Sequence, residues 1–265
     1  MNADSRQVFR GIPIGTAAPT AQEQALAKHH FVQFKNLDEY YSAAQFEADV
    51  LALLPQLWEQ GDYAVMSGGS MLYVDAVCKG IDQIPDISPE VRAAVKQQWQ
   101  EQGLEPLLEE LKHLDPDYYA IVDKLNPVRV VHAVEVCRQT GVPYSSLRTG
   151  KAKQRPFRIV KVGLNIERPE LFDRINRRVD AMVAAGLEQE ARAVYPQRHL
   201  NSLNTVGYKE LFAYFDGIMD RHTAIEHIKK NTRVYAKKQL TWLSRDNTIT
   251  WCTPPECMNT MLSLL

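Results

Sequence analysis

Asp4-Ser5-Arg6-Gln7 sets a carboxylate, a hydroxyl, a guanidinium and an amide within four residues. A carboxylate so placed can accept a proton or orient an amine. In open α/β sheets such groups gather outside the carboxyl ends of strands. The same Asp4 also suits a helix or turn cap. Gly68-Gly69-Ser70-Met71-Leu72-Tyr73 reads as a glycine-rich strand-to-helix turn, where backbone amides and the Ser70 hydroxyl approach a ligand closely. Tight turns need glycine anyway, so this signal is weak alone. Asn204-Thr205-Val206-Gly207-Tyr208-Lys209 joins a turn glycine, a ring and a cation. Lys237-Lys238-Gln239-Leu240-Thr241-Trp242 joins cations, an amide and an indole. Rings stack on bases and cations bind phosphates, a mixture that suits RNA. Core packing for Tyr208 and Trp242, and a solvated face for the lysines, are the plain alternatives.

These groups need elements to hold them. Tyr63 to Ser67 is short, apolar and β-capable, and predicts a buried strand running into Gly68-Gly69. Ser42 precedes an amphipathic run from Ala43 to Leu54 and is placed to cap that helix. A second strand is predicted over Arg158–Leu164. Strand and helix alternation indicates α/β architecture. From about Asp82 to Gly150 the pattern is helical. Ser88 caps a helix with Pro89 at its first position, Leu104 to Leu114 forms another, and Asn126-Pro127 opens a third through Val136. Beyond Gly163 the pattern is mostly helical: Arg168 to Ala185 ends at Gly186, and Ile225 to Leu243 is a long helix carrying five cations.

The net charge of −1 conceals an asymmetry. Residues 1–125 carry 9 Lys and Arg against 19 Asp and Glu, net −10, whereas residues 126–265 carry 22 against 13, net +9. A basic C-terminal half points to a polyanion on one face, unless the halves interleave in space and cancel. With 265 residues and 45% hydrophobic content the chain can bury a substantial core in one large domain or two small ones. Cys78, Cys137, Cys252 and Cys257 form no CxxC pair, so neither a zinc site nor a redox motif is indicated. Free thiols fit a cytoplasmic location. No apolar run is long enough to cross a membrane and the opening residues are polar, unlike a signal peptide.

In order along the chain, the motifs are Asp4 to Ala17, Tyr40 to Phe46, Gly68 to Tyr73, Asn126 to Arg129, Arg174 to Asp180, Gly207 to Glu210 and Thr232 to Trp242. This combination resembles the tRNA dimethylallyltransferase family over residues 2 to about 252. The resemblance implies a P-loop NTPase-like α/β core with a parallel sheet, formed by residues 1–81 and 151–265 with a helical C-terminal tRNA-binding part. A helical insertion over 82–150 would contact the anticodon stem. It implies transfer of a dimethylallyl group from dimethylallyl diphosphate to the N6 amine of the adenosine 3′-adjacent to the anticodon, in tRNAs reading codons that begin with U. Asp4 would be the general base or amine-orienting carboxylate. Ser5, Arg6 and Gln7 would contact the flipped nucleotide. Ser70 stands where family members usually carry threonine, retaining the hydroxyl. Arg92, the segment Val128 to His132 with Arg129, the segment Asn204 to Lys209 with Gly207 and Tyr208, and Lys238 through Arg245 with Gln239 and Trp242 match tRNA-contact positions. His132 replaces an arginine common there. Arg174, Arg177 and Arg178 are candidates for the diphosphate; ion pairs with Asp173 or Asp180 are the alternative. Mg²⁺ would bridge the diphosphate oxygens. A monomer with nucleotide-binding character is expected.

One departure stands out. Family members carry a strand, a Gly-x-x-x-x-Gly-Lys-[Ser/Thr] loop and a helix before the Asp-Ser motif, and no such loop occurs in this sequence. The expectation is an N-terminally truncated chain, either mis-started at Met1 or genuinely short, that is unstable or inactive as given. A non-catalytic RNA-binding remnant is the competing reading. An unrelated P-loop kinase accords poorly with the tRNA-contact motifs.

Overall fold

The computed structural model describes residues 1–265. In chain order the elements are α1 (Pro13–Thr16), α2 (Ala21–Leu26), α3 (Ala43–Trp58) and α4 (Met71–Lys79), then α5 (Pro89–Gln102), α6 (Glu105–Leu114), α7 (Pro116–Ile121), α8 (Pro127–Thr140) and α9 (Tyr144–Leu147). There follow β1 (Lys161–Leu164), α10 (Arg168–Ala184), α11 (Leu187–Val194), α12 (Tyr208–Phe215), α13 (Arg221–Leu243), β2 (Ile249–Cys252) and α14 (Cys257–Leu264). The chain divides into two compact units, residues 1–78 with 155–265, and residues 79–154.

In the first unit α3 buries Ala43, Phe46, Glu47, Val50 and Leu54. That spacing lines one face of a helix. Ser42 begins it through a capping box with Gln45. Phe46 stacks on Tyr73 of α4, ring centroids 4.5 Å apart. Glu47 on the same buried face is ion-paired with Arg155 at 2.6 Å, and Arg155 also donates to the carbonyls of Ala76 and Val77. Helix α13 packs on α10 and α12, burying Ala224 and Ile228. It begins at Arg221, earlier than the apolar pattern suggests, because the Asp220 side chain accepts from the Thr223 N–H and caps it there.

The sheet is small. β1 and β2 pair in parallel, Lys161 opposite Ile249 through Leu164 opposite Cys252. The expected strand over Arg158–Leu164 is thus shortened, because β2 offers only four residues to pair with. Residues 63–67 correct the expectation of a buried strand. They run extended beside Met1–Ala3 and make one parallel bridge, Asn2 with Ser67, while Tyr63 and Val65 are 64% and 65% exposed. A three-residue ladder on one side is too short to extend the strand or bury its faces.

The second unit is all helical. Leu107, Leu108 and Leu111 of α6 meet Val130, Ala133, Val134 and Cys137 of α8, with Val95 of α5. The caps lie where the sequence puts them: Ser88 accepts from the Val91 N–H and Asn126 from the Arg129 N–H. Asp115 is wholly buried, and its carboxylate accepts from the N–H groups of Tyr118 and Ser145 and from the Ser145 hydroxyl, so it starts α7 and holds α9. No helix is long and apolar enough to cross a membrane.

Candidate acceptor site

The Asp4–Gln7 turn is fixed by partners distant in sequence. Residues 1–3 run beside residues 65–67, the Ser70 N–H donates to the Ala3 carbonyl, and the chain then turns. Asp4 Oδ1 accepts from the Arg6 and Gln7 N–H groups at 2.8 and 3.2 Å. The turn-cap reading of Asp4 is therefore realised by one carboxylate oxygen, and Oδ2 makes no hydrogen bond within the chain. The Ser5 N–H donates to Ser70 Oγ at 2.8 Å, and the two serine hydroxyls lie 3.0 Å apart. Arg6 Nη1 donates to the carbonyls of Asn201 and Ser202. Burial pulls the Arg6 guanidinium below its usual pKa, opposed by the neighbouring Tyr73, Asp4 and Tyr235. The Gln7 amide is occupied in holding α1, donating to the Thr16 and Ala17 carbonyls at 2.9 Å each.

The glycine turn after residue 67 leaves no room for side chains. A Cβ on Gly68 would lie 2.4 Å from the Ala3 carbonyl, and one on Gly69 would lie 2.2 Å from Gln239 Nε2. That nitrogen donates to the Gly69 carbonyl at 2.7 Å. Three residues further along α13, the Trp242 indole N–H donates to Asp75 of α4 at 2.8 Å, which leaves its ring 40% exposed. Lys238 and Arg245 are exposed.

Of the two readings open for Tyr208, core packing is the one its burial fits: the ring is 0% exposed. The hydroxyl donates to Glu190, whose carboxylate also accepts the Ile14 and Gly15 N–H groups at 2.8 Å each. Burial first, then Glu190, pushes the Tyr208 phenol pKa far up. The preceding Gly207 has φ of 100°, a backbone state glycine adopts without strain. Its N–H donates to Glu210, which the Asn231 amide also reaches. Asn204 and Lys209 remain exposed.

The arginines of α10 are exposed. Arg177 pairs with Asp173 at 2.8 Å, realising the ion-pair alternative for that residue. Asp180 pairs with Lys229 of α13. Arg174 and Arg178, one turn apart, complete the basic face.

In the helical unit, Val128, Arg129 and His132 border a cleft of about 470 Å³, with Tyr118, Ile121 and Arg148 among its other walls. His132 Nδ1 lies 3.7 Å from Glu135 and the imidazole meets Tyr144 edge-on. Arg92 is exposed, its Nε directed to the Ile87 carbonyl at 3.4 Å.

Sequence reasoning passed over two participants. Glu190 has no motif of its own and is recognisable only from its contacts. Tyr235 lay inside the Thr232 to Trp242 motif, but nothing in the spacing set it apart from its neighbours. Its phenol is raised in pKa by burial first and then by Asp4, while Arg6 and Ser70 act the other way.

Comparison with known proteins gives a consistent set of matches. A family model described as IPP transferase matches residues 7–246. The tRNA dimethylallyltransferase 2 of Parabacteroides distasonis is 57% identical over 256 residues, 97% of this chain and 86% of that protein. The tRNA dimethylallyltransferase 2 of Porphyromonas gingivalis is 53% identical over 265 residues, 100% of this chain and 88% of that protein. Among solved structures, the full-length tRNA isopentenylpyrophosphate transferase of Bacillus halodurans aligns with a TM-score of 0.66 at 35% identity, covering 95% of this chain and 80% of that one. A eukaryotic dimethylallyltransferase acting on tRNA aligns with a TM-score of 0.74 at 22% identity, covering 96% and 67%, a likeness of fold.

Proposed function

Since this chain belongs to the IPP transferase family, we propose that it transfers a dimethylallyl group from dimethylallyl diphosphate to the N6 amine of an adenosine in tRNA. The acceptor is the adenosine 3′-adjacent to the anticodon, in tRNAs reading codons that begin with U. The names of the relatives support the reaction class. The observation that carries the reading is the Asp4 carboxylate, with Oδ1 locked by two backbone N–H groups and Oδ2 left to meet an amine.

In the transfer a bond forms between N6 and the allylic carbon, and the bond from that carbon to the diphosphate oxygen breaks. The bonding electrons leave with diphosphate. The surplus N6 proton passes to Asp4 Oδ2 and then to water. The exocyclic amine is a weak nucleophile because its lone pair is shared with the ring, so orientation and proton removal carry much of the work. Ser5, Ser70 and Arg6 hold the extruded nucleotide beside Asp4; Gln7 acts by fixing the turn. Extrusion costs a few kcal/mol, which contacts to the base must offset. The cations of α10 neutralise the leaving diphosphate, chiefly Arg174 and Arg178, since Arg177 already has Asp173. Asn204, Lys209, Lys238, Gln239, Trp242 and Arg245 in one unit, and Arg92, Val128, Arg129 and His132 in the other, are the RNA-facing set, while the buried Gly207, its N–H on Glu210, shapes the turn between Asn204 and Lys209.

Mg²⁺ that binds together with a diphosphate takes most of its ligands from phosphate oxygens and water rather than from a cluster of protein groups. In this proposal the ion belongs to the donor diphosphate, and no step passes through it.

The test is transfer of radiolabelled dimethylallyl diphosphate to unmodified tRNA by the protein and its Asp4→Asn variant. Asparagine keeps the Oδ1 acceptor and so the turn. Transfer should fall by about 10²–10⁴-fold with the melting temperature unchanged. Full activity of Asp4→Asn would remove Asp4 from the chemistry. Absence of transfer to any tRNA by the unaltered protein would refute the function.

A further inference from the structure

With Tyr208 in the core, the acceptor site still needs a surface for the base. Tyr235 lies on α13 at one turn before Gln239 and two before Trp242, a spacing that puts all three on one face of the helix. The contacts of the other two show where that face looks: Gln239 reaches the Gly69 carbonyl and Trp242 reaches Asp75. Tyr235 therefore projects over the start of α4, where Ser70 lies. The Ser70 hydroxyl, the Asp4 carboxylate and the Arg6 guanidinium are near enough to act on the protonation of its phenol. Of the two tyrosines facing Asp4 and Arg6, Tyr73 is 5% exposed and stacked on Phe46, so its ring is already covered. Tyr235 is 43% exposed.

We propose that Tyr235 is the platform for the acceptor nucleobase, its ring face against the extruded purine and its hydroxyl held toward Ser70, so that the exocyclic amine comes to the unoccupied oxygen of Asp4. The inference rests on the proposed transfer to RNA and adds the residue that receives the base. A base leaving its stack loses contact with its neighbours on both faces, and an aromatic side chain restores one of them. The ring is pre-positioned because Gln239 and Trp242 fasten α13 on the same face. Any base has a π-face, so the ring supplies affinity and position, while selection of adenine falls to the polar groups around Asp4.

The test uses a synthetic anticodon stem-loop RNA with 2-aminopurine at the acceptor position, titrated with the protein and with Tyr235→Phe, Tyr235→Trp and Tyr235→Leu. Stacking quenches 2-aminopurine emission, and anisotropy of a terminal fluorescein reports binding separately. The unaltered protein, Tyr235→Phe and Tyr235→Trp should quench on binding. Tyr235→Leu should bind about 5- to 150-fold more weakly, the equivalent of losing 1–3 kcal/mol of stacking, and should not quench at saturation. In transfer assays Tyr235→Leu should lower kcat/KM for RNA without changing the KM for dimethylallyl diphosphate. Undiminished quenching by Tyr235→Leu would overturn the platform and leave the transfer reaction standing. Failure of the unaltered protein to bind the stem-loop would overturn both. Thermal melts of Tyr235→Leu verify folding, and loss of quenching in the aromatic variants as well would also reject the proposal.

Discussion

The Gln239 side-chain amide donates to the Gly69 carbonyl at 2.7 Å and thereby joins the longest helix to the turn that carries Ser70. The two glycines of that turn answer to different neighbours. A methyl on Gly69 meets the end of a flexible side chain, whereas one on Gly68 meets the Ala3 backbone. Gly69→Ala should therefore cost about the value of one hydrogen bond, roughly 0.5–1.5 kcal/mol. Gly68→Ala should cost about 1–3 kcal/mol or more, because backbone must move. Urea denaturation of both variants checks the order; equal losses would mean that the turn yields as a unit.

Arg155 and Glu47 are each 7% exposed in their side chains. Removing either partner strands the other's charge, which typically costs about 3–5 kcal/mol. Glu47→Ala and Arg155→Ala should each approach that figure in chemical denaturation. The double replacement should cost less than the sum of the two, because no charge is left stranded.

Lys161 on β1 and Asp246 ahead of β2 form an ion pair at 2.7 Å. Lys161 first, then Thr248, holds the Asp246 carboxyl well below the ordinary carboxylate range. A depressed carboxyl stabilises the fold at pH values above its unfolded pKa, about 3.9. That contribution is lost as pH falls from there through the lower folded value. Asp246→Asn should melt below the unaltered protein at pH 7, and the gap should close as pH drops below about 4. A gap that stays constant with pH would assign the effect to packing.

Tyr208→Phe keeps the buried ring and removes its hydroxyl from Glu190. Hydrogen bonds to charged groups are worth about 1.5–3 kcal/mol, so a stability loss in that range is expected. Affinity for an anticodon stem-loop should not change, since the ring is closed to solvent. A large fall in affinity with unchanged stability would return Tyr208 to the RNA surface.

What could be read from the sequence was local. Ser42, Ser88 and Asn126 announce helices because a capping side chain acts within three residues of itself. The spacing of Leu107, Leu108 and Leu111 marks a buried face for the same reason. Segment 63–67 has the composition of a core strand, but burial depends on what lies against it, and Tyr63 and Val65 are exposed. Tyr208 and Tyr235 are chemically identical, and only the position of each relative to Glu190 or Ser70 separates a core ring from a surface one. The Asp4 motif was recognisable as a set of groups. That Gln7 would serve α1, while Asp4 keeps one oxygen open, followed only from the folded partners.

The anchors of the Asp4–Gln7 turn also set a schedule. Ser70 lies 65 residues from Ser5, and the carbonyls held by Arg6 lie 195 and 196 residues away. Gln239, which secures the opposite side, is 170 residues beyond Gly69. At about 5–20 residues per second, the ribosome needs on the order of ten to fifty seconds to get from the turn to its last fastening. During that interval the four residues can draw only on nearer partners, among them Thr16, Ala17 and Ser70. The fastening of the acceptor site is therefore complete only after α13 has been made and has docked.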